Sequence, residues 1–142
     1  MKIYKASRRG VFSYLIVGLI LVTISIYFFD QETFGREIIL LLPLIFAIFL
    51  LVWIYFDTSY RIEAGKLFYR SGFLRNSIAI NDMDKIIKGT TMWTGSKPAL
   101  AEKGLIIKYN KFDEIYLAPK NNEELIADLL KINPKIKVVD GD

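Results

Sequence analysis

The chain has no cysteine and no histidine. Without cysteine there is no disulfide, thiol nucleophile, thiolate zinc site or lipobox-type lipidation. Without histidine the commonest general base is missing. EF-hand, P-loop and HExxH patterns are absent as well. The acids that come in pairs, Asp82 with Asp84 and Asp113 with Glu114, have no nucleophile or Gly-rich phosphate loop near them. The adjacent Asp113 and Glu114 would also point to opposite faces of a strand. The sequence therefore points away from an enzyme, and no cofactor or metal is expected.

Charge is missing from two stretches. Val11–Phe29 and Ile38–Phe56 are each 19 residues without Lys, Arg, Asp or Glu. At ~1.5 Å per residue, a helix of that length spans the ~30 Å hydrocarbon core of a bilayer. The sequence predicts a transmembrane hairpin over 11–56, with spans 11–29 and 38–56, between a basic N-terminus (1–10) and a soluble domain (57–142). Lys2, Lys5, Arg8 and Arg9 resemble the positive start of a signal peptide. However, the apolar run is long for one, and Tyr27-Phe28-Phe29-Asp30-Gln31 offers no small-x-small cleavage site, so the segment is expected to stay.

Four positive residues precede the first span, and the connection Asp30–Glu37 carries three acids and only Arg36. Arg61, Lys66, Arg70 and Arg75 follow the second span. The positive-inside rule then puts both termini in the cytosol of a bacterial (inner) membrane, in a multi-pass chain. Tyr27, Phe28 and Phe29 mark the outer interface, and Trp53, Tyr55 and Phe56 the inner one. No ionisable residue lies within a span, so nothing marks an ion or proton path. Gly18 lacks small residues at i−4 and i+4. Pro43 sits inside span two as a candidate kink. The hairpin reads first as an anchor.

From Asp57 the pattern alternates. Residues 57–142 hold 14 basic and 12 acidic side chains, mixed in sign, which gives no case for nucleic acid. Thr58–Glu63 reads as a strand, Ala64-Gly65-Lys66 as a tight turn and Leu67–Arg70 as the returning strand. Short strands are expected at Asn76–Ile80 and Met83–Lys88, a loop at Gly89–Pro98, and the clearest hairpin at Gly104–Tyr109 with Phe112–Leu117. Asn121 and Glu124 form a box-like helix start. Leu125, Ile126, Leu129, Leu130 and Ile132 make one apolar stripe, with Asp128 and Lys131 facing away, and Asn133-Pro134 stops the helix. About six strands and one amphipathic helix suggest a partly open barrel capped by that helix.

Three segments carry a family likeness: Thr58–Leu67, Pro98-Ala99-Leu100, and Leu117-Ala118-Pro119-Lys120 leading to Asn133-Pro134. Residues 57–135 resemble the short bacterial PH-like domain family, which includes the immunity protein of sublancin producers. The stretch Ala101-Glu102-Lys103-Gly104 departs from the Ser, Asp and Arg usual there. The resemblance implies a membrane-anchored α+β protein: two transmembrane helices, then a PH-like, partly open β-barrel capped by a C-terminal helix. It also implies a non-enzymatic docking platform for a membrane or cytosolic protein, with immunity to a membrane-active antimicrobial peptide as one variant. The alternative is anionic-lipid sensing at the bilayer surface, with Lys88, Trp93, Lys97, Arg61 and Arg70 as candidate contacts. Each candidate has a structural reading beside it. Trp93 either dips into headgroups with its flanking lysines or folds back to plug the barrel. The basic residues Arg61, Lys66, Arg70, Arg75, Lys85 and Lys88 form either a patch or a solvated strand face.

Overall fold

The computed structural model describes residues 1–36 and 38–141, without the side chains of Thr33, Phe34, Arg36 and Leu40. Helix α1 is Val11–Phe29, with the bounds expected of the first span. It is apolar on every side, and Ile16 alone among its residues is buried, as suits a helix facing lipid. The expected outer connection contains a short helix, α2, Gln31–Arg36. Glu37, counted among that connection's acids, lies outside the described residues. Helix α3 is Ile38–Asp57, with Pro43 inside it. By length and composition α1 can cross a membrane. The part of α3 with fully described side chains, Leu41–Asp57, is shorter.

Eight strands follow the alternation more widely than expected. β1 is Lys2–Lys5, β2 Ser59–Glu63, β3 Lys66–Ser71 and β4 Leu74–Ala79. These form one sheet in the order β1-β2-β3-β4, all antiparallel. A single 3-10 turn, Ile80–Asp82, leads into β5, Met83–Thr90. With β6 (Gly104–Tyr109), β7 (Asp113–Leu117) and β8 (Lys137–Asp140), β5 builds the second sheet in the order β7-β6-β5-β8. Helix α4 is Asn122–Ile132, and the Asn121 side chain caps it by accepting the Glu124 N–H at 3.2 Å.

The partly open barrel is thus replaced by two unclosed sheets. The cause is local: the turn at Ile80–Asp82 buries Ile80 and hydrogen-bonds its N–H to Gly65 O at 3.0 Å, carrying the chain from one sheet to the other. The two-residue turn Ala64-Gly65, with φ of 49° and 71°, and the Asn110-Lys111 turn, with φ of 49° and 69°, have the left-handed backbone that twisted hairpins need. One core serves both sheets. Tyr4, Tyr60, Leu67 and Ile78 from the first meet Ile86, Leu105, Ile107, Ile115 and Leu117 from the second, with Leu125, Ile126 and Leu129 of α4.

Two expectations for α4 are corrected. Ile132, placed on the apolar stripe, is 40% exposed in the last turn. Asp128, placed on the solvent face, is turned inward by partners at the other end of the chain. It lies 2.5 Å from Lys2 Nζ, 2.5 Å from the Tyr4 hydroxyl and 2.8 Å from Lys131 Nζ. β1, ahead of α1 in sequence, is therefore part of the domain. It pairs with β2, and its terminal neighbours are fixed by Ser7 N–H to Ala118 O (2.7 Å) and Lys120 N–H to Lys5 O (2.9 Å).

Candidate functional site

The last turn of α3 is bolted to the first sheet. Thr58 Oγ1 donates to Ile54 O at 2.7 Å and lies 2.9 Å from Ser71 Oγ. Asp57 is buried, and its Oδ2 accepts the Gly72 N–H at 3.1 Å. Arg70 ion-pairs with the same carboxylate, and Arg75 Nη2 lies 3.6 Å from it. Gly72, at φ 58°, passes so close to α3 that a Cβ would stand 2.6 Å from Ile54 Cγ1. Phe73 beside it is 73% exposed and packs edge-to-face on Trp53 at 5.0 Å. On the α1 side, Arg8 stacks over Tyr55 and Phe56, each at 5.0 Å. Gly10 passes against the backbone of Leu100 and Ala101. The β3–β4 turn and the loop between β5 and β6 thus gather at the end of the domain where the helices leave.

On the outer face of the first sheet the cross-strand rows read Lys5, Ser59, Arg70, Arg75, then Ile3, Arg61, Phe68, Ser77. Between them lies an open groove of about 580 Å³. Two arginines directly opposite on neighbouring strands repel. The buried Asp57 carboxylate offsets that repulsion and fixes both guanidinium groups. Arg61 stacks on Phe68 at 4.9 Å.

The candidate residues from the sequence do not form one patch. Arg61 and Arg70 line this groove. Lys88 belongs to the second sheet and is held by Glu123 at 3.0 Å and Asp140 at 3.6 Å. The Glu123 hydrogen bond, with Asp140 nearby, raises the Lys88 pKa above its ordinary value. Lys85 likewise stands on the second sheet. Trp93 does not plug the fold: it is 78% exposed, and Met92 beside it is the buried residue, packed with Tyr116, Ala101 and Ala118. Lys97 lies over both the Trp93 ring (5.4 Å) and the Tyr116 ring (5.3 Å). Sequence reasoning counted Arg75 in the basic patch but gave no site role to Asp57 or Phe73. An acid closing an apolar run and an aromatic behind a turn glycine were the available signals. Among the described residues no group of three acids, His or Cys is placed to hold a metal.

The three family-like segments converge on one atom. The Tyr60 hydroxyl, fully buried, donates to Pro98 O at 2.8 Å and accepts the Ala118 N–H at 3.1 Å. Burial pushes its pKa above the ordinary range. One phenol so ties β2 to the loop before β6 and to the end of β7. The Tyr-x-Ile, Pro-Ala-Leu and Leu-Ala-Pro-Lys segments are parts of that tie, which is why they report fold rather than ligand.

Comparison with known proteins agrees. The bacterial PH domain family matches residues 58–133, more than half of the chain. The uncharacterized protein YyaB of Bacillus subtilis (strain 168) is similar, at 23% identity over 140 residues and 94% of each chain. That coverage takes in the N-terminal helices as well as the domain. No solved structure matches. The narrower likeness to the sublancin immunity protein's own group is not singled out by these matches. The matched region takes in β2 to β7 and α4, with the Tyr60 tie inside it, and the chain belongs to the bacterial PH domain family.

Proposed function

We propose that this is a multi-pass bacterial membrane protein whose two-span hairpin holds a non-enzymatic PH-like interaction module against the cytosolic surface. One observation carries the reading: β1, before α1, pairs with β2, after α3. The chain enters α1 and leaves α3 at the same end of the domain, which favours a second crossing that returns a chain carried over by α1. The absence of charge in Ile38–Phe56 and the basic residues flanking both helices support that crossing and its orientation.

The opposite end of the domain is the surface offered to a cytosolic protein. There Lys108, Lys85 and Lys137 lie side by side across β6, β5 and β8. Lys85 and Lys137 have no ion pair among the described residues, so an acidic partner surface complements the row. Shielding the membrane from an antimicrobial peptide is a specific variant of this role.

Reporter fusions test the reading. A fluorescent protein at the C-terminus is expected to be bright and alkaline phosphatase there silent, with the reverse for insertions in the 30–37 connection. An active C-terminal phosphatase overturns the topology. Crosslinking in native membranes, with Lys85→Glu/Lys137→Glu as the control, is expected to lose its adduct in the variant. Unchanged sensitivity of expressing cells to a panel of membrane-active peptides removes the immunity variant.

A further inference from the structure

We infer that the open edge of β8 is a strand-addition site for an extended acidic segment of a cytosolic protein. This rests on the partner surface proposed above and states how that partner binds. The edge comes first. On the other three sheet edges the chain occupies outward backbone groups itself. Lys5 O of β1 accepts the Lys120 N–H at 2.9 Å, and the Tyr116 N–H of β7 goes to Ser96 O at 3.0 Å. On β4 the Ser77 N–H is taken by Asn76 Oδ1 at 2.8 Å. On β8 the Gly141 N–H donates inward, to Lys88 O at 2.7 Å. Residues of that parity, Lys137 and Val139, turn their backbone groups to β5, so Val138 and Asp140 turn theirs outward. Among the described residues no strand lies beyond β8 to meet them.

Chemistry selects the strand. On the outer face the row Lys108, Lys85, Lys137 ends at this edge, and so does the next row, Tyr116, Ile106, Ile87, Val139. The loop between β5 and β6 packs Met92 and Ala101 on Tyr116 and reaches Ile106, whereas Val139 is 36% exposed. Lys111 and Lys135 join the lysines around an open depression of about 470 Å³, whose lining has Asp84 as its one acid. A strand laid along β8 puts one outward side chain beside Lys137 and the next, two residues on, beside Val139. An acid and then an apolar residue at that spacing extend both rows. Asp140, on the inner face with Lys88 and Glu123, keeps the residues between them uncharged. A lysine on an edge guards against indiscriminate pairing, and this one also rejects basic strands while admitting acidic ones. A second copy fits poorly. β8 runs parallel to β5, back toward the helix exit. Two such strands paired antiparallel would turn one hairpin away from the membrane that holds the other.

The test uses the full chain in dodecyl maltoside and a fluorescein-labelled peptide that repeats Glu-Thr-Val-Thr, read by fluorescence anisotropy. The peptide is expected to bind, more weakly as salt rises. A Lys-Thr-Val-Thr repeat and a fully N-methylated form of the acidic repeat should each bind at least tenfold more weakly. The first has the wrong charge, and the second keeps the charge but has no backbone donor. Lys85→Glu/Lys137→Glu should weaken the acidic repeat roughly tenfold. Val138→Pro removes an outward N–H and no bond to β5, and should weaken it about fivefold, the effect of one hydrogen bond. Asp140→Pro removes the other outward N–H and serves as the second variant should Val138→Pro unfold. Absence of binding, equal binding of the acidic and basic repeats, or unchanged binding in the folded proline variant overturns the inference. Undiminished binding of the N-methylated repeat also overturns it, because the lysines then attract charge and not a strand. Crosslinks in native membranes that need Lys85 and Lys137 but survive Val138→Pro would leave the acidic partner standing and remove its strand.

Discussion

Tyr60→Ala is expected to abolish cooperative folding of the PH-like domain. The ring is fully buried between the two sheets, and truncating a large aromatic in a core costs ~3–5 kcal/mol. That is a large part of the ~5–15 kcal/mol by which domains are stable. Tyr60→Phe isolates the hydroxyl. The ring stays, but Pro98 O and the Ala118 N–H lose the phenol between them. Leaving buried polar groups unpaired costs about 1–3 kcal/mol. At ~4–8 °C per kcal/mol for a domain of this size, the melting temperature should drop by roughly 5–20 °C. Circular dichroism of the full chain in detergent reads both variants. A Tyr60→Phe protein melting with the parent would show that the hydroxyl bridge carries no stability.

That tie also explains what the sequence could and could not disclose. Residues that satisfy their neighbours locally were legible. α1 has the bounds of its uncharged run, the Ala64-Gly65 and Asn110-Lys111 turns sit where expected, and Asn121 caps α4. Contacts between distant segments were not. Lys2-Ile3-Tyr4-Lys5 alternates like a strand, yet four residues beside two arginines read as a basic flank until β2 is there to pair with. Lys137–Asp140 likewise becomes β8 only through a parallel partner in β5. Whether six strands curl into a barrel or split into two sheets depends on one 3-10 turn, which propensity does not announce. Met92 and Trp93 are neighbours, and the smaller, more flexible side chain took the buried place.

The site divided along the same line. Arg61 and Arg70 were recognised as basic residues near the membrane, but the place of Arg70, beside Arg75, depends on Asp57. That acid is ordinary in sequence and decisive in space, because it lets two arginines stand opposite each other. Lys88 looked equally available and is occupied by Glu123 and Asp140. Spacing alone separates neither case.

A fragment that begins at Asp57 should be markedly less stable than the full chain, because part of the domain lies ahead of the hairpin. Such a fragment lacks β1 and with it Tyr4 and Ala6, both buried in the shared core. Loss of the Tyr4 side chain alone should cost ~3 kcal/mol or more, and β2 becomes an uncovered edge open to aggregation. Fusing residues 1–7 back to the fragment through a flexible linker is expected to restore much of its melting temperature. Equal stability with and without that segment would refute the placement of β1.

Asp128 gives the same contact a pH signature. The hydrogen bonds from Lys131, then Lys2, then Tyr4 hold its carboxyl well below the ordinary value of 3.8. Below 3.8 the unfolded chain takes up a proton that the folded chain refuses, so the contribution is complete at neutral pH and fades as the medium is acidified. At the alkaline end the sign reverses. Burial and the Asp128 contact push the Tyr4 phenol up to about 12, and the Asp128 and Glu124 contacts raise Lys2. The folded state then keeps protons that the unfolded state has lost, and stability falls as pH climbs past 10. Melting temperatures of the full chain should therefore decline on both sides of a neutral plateau. Asp128→Asn should lower the plateau and flatten the acid limb, while Lys2→Met in that background should cost less than it does in the parent, since the Asp128 pair is already broken and the Glu124 pair alone remains to be lost. Additive losses from the two substitutions would mean that the strand is held by its backbone pairing and core contacts alone.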